Sequence, residues 1–151
     1  MLFDFMLNGR LMLAFAREDP EAIIDALRDT PKLPTGGQWA TFLRNHDEID
    51  LSRLTADQRN DVLAKFGPDE NMQLYGRGIR RRLAPMLGND RRHIELAYSL
   101  QFSLRGTPVL RYGEEIGMGR TWRWTGATRS VPRCSGPTRT TRASPPPSRR
   151  S

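Results

Sequence analysis

The chain has 151 residues, enough for one domain with a sizeable core but fewer than the ~200 that an eight-stranded α/β barrel needs. Its net charge of +7 would fit a nucleic-acid-binding protein, yet eight of the 24 basic residues and none of the 17 acidic ones lie in residues 120–151. Residues 1–119 therefore hold 16 basic and 17 acidic residues, a net charge of −1, which excludes a basic surface spread over the body of the chain.

Residues 1–17 predict an apolar segment followed by a short helix at 11–16. Asp4 comes early and no basic start precedes the apolar run, so we expect neither a secretion signal nor a membrane span, and a cytoplasmic protein. No cap or turn precedes this run, which suggests a domain entered midway. The single cysteine, Cys134, excludes an intrachain disulfide and a cysteine-based metal site.

The first clear helix start is Asp19-Pro20-Glu21, which combines a capping side chain, a proline at the first helical position and an acid near the positive end of the dipole. The helix should run to Asp29 with Ile23, Ile24 and Leu27 on its apolar face.

After a proline- and glycine-rich loop at 31–38, the apolar run Trp39–Leu43 predicts a buried strand. The polar run Arg44-Asn45-His46-Asp47-Glu48 follows it directly. Because active sites in barrels and open α/β sheets lie at the carboxyl ends of strands, this run is the candidate site. A strand followed by an ordinary polar loop is the alternative on spacing alone.

Further elements follow in chain order. A capping box at Thr55–Gln58 predicts a helix to Phe66, within an insertion over 50–75 that could contribute to specificity. Gly78–Leu87 predicts a basic helix, and Asp90 should cap a helix from 91 to 104 that is apolar nearly all round and therefore buried. A strand is predicted at 109–112, so the order strand, helix, strand indicates a parallel βαβ unit.

The run Phe42–Glu48 resembles the Asn-His-Asp signature that follows strand seven in the α-amylase superfamily of glycoside hydrolases, in the form found in trehalose synthases. The stretches Gly78–Pro85 and Gly106–Gly119 are similar to the same subgroup. The resemblance implies that residues 1–119 are a carboxyl-side part of the catalytic barrel: an α/β fold, a partial TIM (β/α)8 barrel with strands seven and eight and their helices.

The resemblance assigns Asp47 a catalytic role, in which its carboxylate binds sugar hydroxyls and stabilises an oxocarbenium-like transition state. His46, Asn45 and Arg44 become substrate-binding residues, with ion pairing as the alternative for Arg44. Asp47 and Glu48 cannot be the catalytic pair on one strand, because adjacent side chains point to opposite faces. The family's nucleophile and acid/base residue, like its calcium ligands, would lie upstream of Met1, so we expect no cofactor in this chain and no activity from it alone.

Two positions depart from the family's pattern: Arg111 stands where a tyrosine is usual, and Glu114 where an aspartate is usual. The expected substrates are maltose, trehalose or short α-glucans, interconverted by retaining, intramolecular glucosyl transfer. An α-glucosidase or amylase hydrolase of the same superfamily is the alternative. A Ser- or Cys-based nucleophilic triad is not expected, because no serine or cysteine has the required elbow context.

Residues 120–151 form a basic tail rich in Arg, Pro, Ser and Thr that lacks apolar periodicity. A disordered tail, a nucleic-acid-binding arm using Trp122 and Trp124, and a shifted reading frame are three explanations. With suitable codons, another frame encodes Arg-Thr-Pro-Met-Gln-Trp, a string similar to one found after strand eight in trehalose synthases. We therefore predict a frame-shifted, disordered tail, and expect neither nucleic-acid nor membrane binding.

Overall fold

A computed structural model describes residues 1–119, and every prediction for residues 120–151 lies outside the described residues. The described helices are α1 (Phe5–Arg17), α2 (Glu21–Asp29), α3 (Ala56–Phe66), α4 (Leu83–Met86) and α5 (Arg91–Ser103). Short 3-10 helices occupy Glu70–Met72 and Glu114–Ile116. The strands are β1 (Leu2–Phe3), β2 (Trp39–Thr41), β3 (Ile49–Asp50), β4 (Gln73–Leu74), β5 (Gly78–Ile79) and β6 (Thr107–Pro108).

The candidate site lies on a sheet of three parallel strands in the order β1-β2-β6. β1 pairs with β2 and β2 pairs with β6, so the predicted parallel βαβ unit is confirmed and β2 is the central strand. The prediction for the first residues omitted β1, and the structure adds a third parallel strand to the two expected. A strand of two residues has no alternation of its own and is defined by its partner, which the local sequence does not show.

The last strand begins earlier than the predicted 109–112. β6 is at Thr107–Pro108, and the Val109 N–H extends the pairing by donating to the Thr41 carbonyl at 2.8 Å. Gly106 makes this approach possible, because a Cβ at that position would lie 2.8 Å from Cγ2 of Thr41. Its φ of +124° is also a value that side-chain-bearing residues rarely adopt.

The basic helix predicted over Gly78–Leu87 is wrong in its first half. β5 pairs antiparallel with both β3 and β4 in a second sheet, and only Leu83–Met86 is helical. A Cβ at Gly78 would lie 2.6 Å from Cγ of Glu48, so the strand approaches its neighbour as closely as glycine permits. Burial of Ile79 in the core adds to this, and tertiary packing overrides the helical propensity of the arginines.

Helix α5 is less buried than predicted. Ala97 and Gln101 are buried, whereas the side chains of Leu96 and Phe102 are 50% and 58% exposed. The prediction of a helix buried all round is therefore wrong for this part of the chain. On α2, likewise, Ala22 and Ala26 form the buried face, and Ile24 and Leu27 are partly exposed.

Three predicted helix caps make their hydrogen bonds, but the helix predicted at 11–16 begins earlier, at Phe5, where Asp4 Oδ1 accepts the N–H of Leu7. Asp19 Oδ1 accepts the N–H of Glu21, both hydrogen bonds of the Thr55–Gln58 capping box are present, and Asp90 Oδ1 accepts the N–H of Arg92. Helix α1 contacts α2, α3 and β3. The core around it includes Leu7, Leu11, Met12, Leu13, Leu43, Leu51, Val62, Ile79 and Leu83.

Candidate functional site

The candidate site is the loop that leaves the carboxyl end of β2. Two buried amide side chains bind the last carbonyls of this strand and its extension. Asn8 of α1 donates through Nδ2 to the carbonyls of Phe42 at 2.8 Å and Leu43 at 3.1 Å. Gln101 of α5 donates through Nε2 to the carbonyl of Thr41 at 3.1 Å. The backbone is therefore held from two helices immediately before the site.

Within the loop, the structure separates the predicted site residues by exposure. Arg44 and Asn45 are buried, with 3% and 7% of their surface exposed. The side chains of His46 and Asp47 are 84% and 67% exposed and adjacent, with 3.2 Å between His46 Nε2 and Asp47 Oδ2. Of the four predicted site residues, His46 and Asp47 thus face solvent, whereas Arg44 and Asn45 face the protein.

Asn45 shapes this loop through a local hydrogen bond. Its Oδ1 accepts the N–H of Asp47 at 2.9 Å, which closes an Asx turn. The turn fixes the backbone of Asp47 relative to the buried start of the loop. Because the Asn45 side chain is used in this way, the structure gives it a backbone-positioning contact in addition to the substrate-binding role predicted for it.

Behind the loop lies a buried cluster of charges. Glu114 is 3% exposed and forms an ion pair with Arg82 at 3.3 Å, while Arg82 also donates to the Tyr112 carbonyl at 3.0 Å. Burial, with a contribution from nearby Arg111, lowers the pKa of Arg44 to about 10, although Glu114 acts in the opposite direction. The cluster therefore links the site loop to the segment that follows β6.

Glu114 is itself electrostatically perturbed. Burial raises the pKa of Glu114, and Arg82, Arg44 and a hydrogen bond from the N–H of Leu83 lower it in part. The desolvation of Glu114 therefore outweighs the attraction of its partners, and keeping its carboxylate ionised costs free energy. This position is the one where the sequence departs from the family's usual aspartate.

Asp47 and Glu48 lie in different environments. The Glu48 side chain is only 13% exposed and faces Arg77 at 3.9 Å, whereas Asp47 is open to solvent. Both residues lie in the loop after β2 and not on a strand, so strand geometry does not apply to them, and their different environments are what distinguish the two carboxylates.

A cavity of about 970 Å³ lies elsewhere, between α5 and residues 114–117. Its lining includes Tyr98, Phe102 and Glu114 but neither His46 nor Asp47. Among residues 1–119, no group of three His, Cys, Asp or Glu side chains could hold a metal ion. No helix in the same range is long and apolar enough to cross a membrane.

Sequence reasoning missed Asn8, Gln101 and Arg82. Asn8 follows Leu7 on the buried face of α1, and Gln101 lies four residues after Ala97 on the buried face of α5. A polar residue at an apolar helical position was the available signal. This signal could not identify the hydrogen-bond partners, because Asn8 and Phe42 are 34 positions apart and Gln101 and Thr41 are 60 positions apart.

Comparison with known proteins identifies relatives. The chain is 48% identical over 119 residues to the trehalose synthase/amylase TreS of Mycolicibacterium smegmatis, 44% to the trehalose synthase of Thermus thermophilus and 45% to that of Pimelobacter sp. (strain R48). Each match covers 79% of this chain and 20%, 12% and 21% of the respective relative. No protein-family model matches the chain. The chain thus spans about a fifth or less of the relatives' length, and over that segment it is a homologue of trehalose synthases.

Proposed function

We propose that this chain, a homologue of one segment of the trehalose synthases, supplies the sugar-binding face of an enzyme that interconverts maltose and trehalose. One observation supports this most strongly: His46 and Asp47 are exposed side by side at the carboxyl end of the central parallel strand. That is where (β/α)8 enzymes place the residues that contact substrate.

The architecture supports a barrel origin. β1, β2 and β6 are parallel neighbours in chain order, with helices in both connections, as successive strands of a (β/α)8 barrel would be. With β1 counted, they correspond to strands six, seven and eight, one strand more than the sequence predicted. The antiparallel sheet of β3, β5 and β4 lies within the connection after β2, on the side where such barrels carry loop insertions.

Asp47 is the residue to which we assign a catalytic role. Its carboxylate accepts hydrogen bonds from hydroxyls of the glucose being transferred, and its negative charge opposes the positive charge that develops on the ring. His46 donates to hydroxyls of the same sugar. We assign the nucleophile and the acid/base of the double displacement to carboxyl groups outside this segment, since Glu48, the carboxylate next to Asp47, faces Arg77.

Hydrolysis is the second candidate activity, and it is supported by the name of one relative, trehalose synthase/amylase. In both reactions a glucosyl group is transferred, to a sugar hydroxyl in one and to water in the other. The residues of this chain act on the transferred glucose and are compatible with both acceptors.

A chimera tests the proposal. The 119 matched residues of this chain would replace the corresponding segment of the Thermus thermophilus enzyme, and maltose conversion would be followed by ¹H NMR of the anomeric protons. We expect trehalose to form, with free glucose as the measure of hydrolysis. The isolated 151-residue chain serves as the reference and should convert neither sugar. A folded chimera with no conversion of maltose would contradict the proposal.

A further inference from the structure

We propose that Asn8 and Gln101 are positioning residues that fix the direction in which the site loop presents Asp47. This inference rests on the proposed function, because it concerns the same loop. It assigns the precision of the site to two buried amides on helices α1 and α5, which bind backbone carbonyls at the end of β2.

Asn8 acts where the strand pairing ends. β2 stops at Thr41, so the carbonyls of Phe42 and Leu43 lie beyond its ladder, in a buried part of the chain. Buried carbonyls need a donor, and the Nδ2 group of Asn8 supplies two hydrogen bonds, one to each. The next residue is Arg44, the first of the site loop.

Gln101 acts on the other side of the same strand end. Its Nε2 donates to the Thr41 carbonyl at 3.1 Å and to the Val109 carbonyl at 3.0 Å. Val109 in turn donates its N–H to Thr41. Gln101 therefore ties the end of β2 to the extension of β6, and the carbonyls of three successive residues, 41 to 43, are bound by the two amides.

The oxygens of these amides show that the two side chains act here as hydrogen-bond donors. Asn8 Oδ1 and Gln101 Oε1 are buried and have no hydrogen-bond partner among the described residues. Both acceptors of each side chain are carbonyl oxygens, which fixes the amide orientation with its nitrogen towards the strand. Asparagine is also a weak helix former, so an aliphatic residue would suit position 8 better if packing alone mattered.

Fixing residues 41 to 43 leaves a short path to the catalytic carboxylate. Arg44 is buried, and Asn45 closes the Asx turn onto the N–H of Asp47. The loop thus has few free dihedral angles between the clamped backbone and Asp47. Positioning at this level matters because a displacement of about 1 Å can lower a rate about 10²-fold.

We call Asn8, Gln101 and the backbone carbonyls that they bind the clamp. Hydrogen exchange in the 151-residue chain tests this clamp without requiring enzymatic activity. Asn8→Asp keeps the size of the side chain and replaces the donating NH2 by an acceptor. We expect the Asp47 N–H to exchange at least about tenfold faster while the Gln58 N–H in the capping box is unchanged. Asn60→Asp, at an exposed position on α3, is the matched control. Asp47 exchange equal to that of the control would overturn the inference.

A second variant covers the case in which Asn8→Asp does not fold. Gln101→Met has a similar volume and no donor, and Gln38→Met at an exposed position is its control. It should likewise accelerate exchange at Asp47. Unchanged exchange would again overturn the clamp.

Kinetics in the chimeric enzyme tests the consequence for catalysis. Asn8→Asp should lower kcat about 10²-fold with a much smaller change in KM, since transition-state contacts depend most on placement. Asn60→Asp should leave both unchanged. Altered exchange with unchanged kcat would contradict the catalytic role while leaving the clamp intact. If the parent chimera itself is inactive, the proposed function fails and the exchange data still decide the clamp.

Discussion

Arg44 should reduce the stability of the fold, and replacing it should therefore make the chain more stable. Its guanidinium is buried, with Nε and Nη1 lacking hydrogen-bond partners among the described residues. Burial lowers its pKa to about 10, well below the usual range of a guanidinium. Because the folded state binds this proton less tightly than the unfolded state, keeping Arg44 charged at neutral pH costs about 3 kcal/mol.

Arg44→Met removes the charge and keeps most of the volume. We expect the free energy of unfolding to rise by about 1 to 3 kcal/mol, below the full cost because Glu114 loses one of its cations. Urea unfolding followed by far-UV circular dichroism, analysed with a common m-value, measures it. Arg53→Met, at an exposed position, is the control and should change the midpoint little. A variant that is less stable than the parent by more than about 1 kcal/mol would refute the reasoning, because it would mean that Arg44 has a compensating partner.

Two further changes probe the site's surroundings. The pKa of Glu114 is raised by burial, so the stability linked to its proton is present below about pH 4.5 and is lost as pH rises through the raised value. Glu114→Gln should therefore gain stability relative to the parent in urea titrations as pH rises above about 4.5, and a difference between variant and parent that does not change with pH would contradict this. Gly106→Ala should lower the free energy of unfolding by at least about 1 kcal/mol in the same assay, because its Cβ would clash with β2. Gly119→Ala, whose Cβ meets nothing within 4 Å, should be nearly neutral. Equal effects of the two substitutions would contradict the close approach of Gly106 to β2.

Elements with local signals were predictable from the sequence. The capping residues Thr55 and Asp90 each satisfy backbone amides within three positions of themselves, so their patterns identify helix starts without reference to the rest of the fold. The strand predicted at Trp39–Leu43 is present at Trp39–Thr41, and it was predictable because an apolar run that ends in a polar cluster is a local feature.

Elements defined by distant partners were not predictable. β1 exists because Leu2 pairs with Trp39, and β5 displaces a predicted helix because Ile79 pairs with Ile49. In both cases the strand is stabilised by a partner strand that is distant in the chain, and a local sequence pattern does not reveal that partner. The exposure of Leu96 on α5 is a further example, since an apolar residue does not by itself indicate what covers it.

The candidate site divides in the same way. His46 and Asp47 could be located from the motif, and the structure places them together and exposed, while their roles stay predictions. The buried placement of Arg44, and the donors Asn8 and Gln101 that hold the strand end, depend on packing between elements. The sequence thus predicted which residues form the loop, and the structure shows the hydrogen bonds that hold the strand end before it.

The most direct test of the account is the effect of Asp47→Asn on kcat in the chimeric enzyme. Loss of a charge that stabilises the transition state should lower kcat by about 10²- to 10³-fold, while the enzyme stays folded. Asp29→Asn, at an exposed position at the end of α2, is the matched control and should retain full activity. The account predicts the large loss for Asp47→Asn alone. Equal activities for the two variants would show that Asp47 does not act on the transferred sugar and would contradict the central claim.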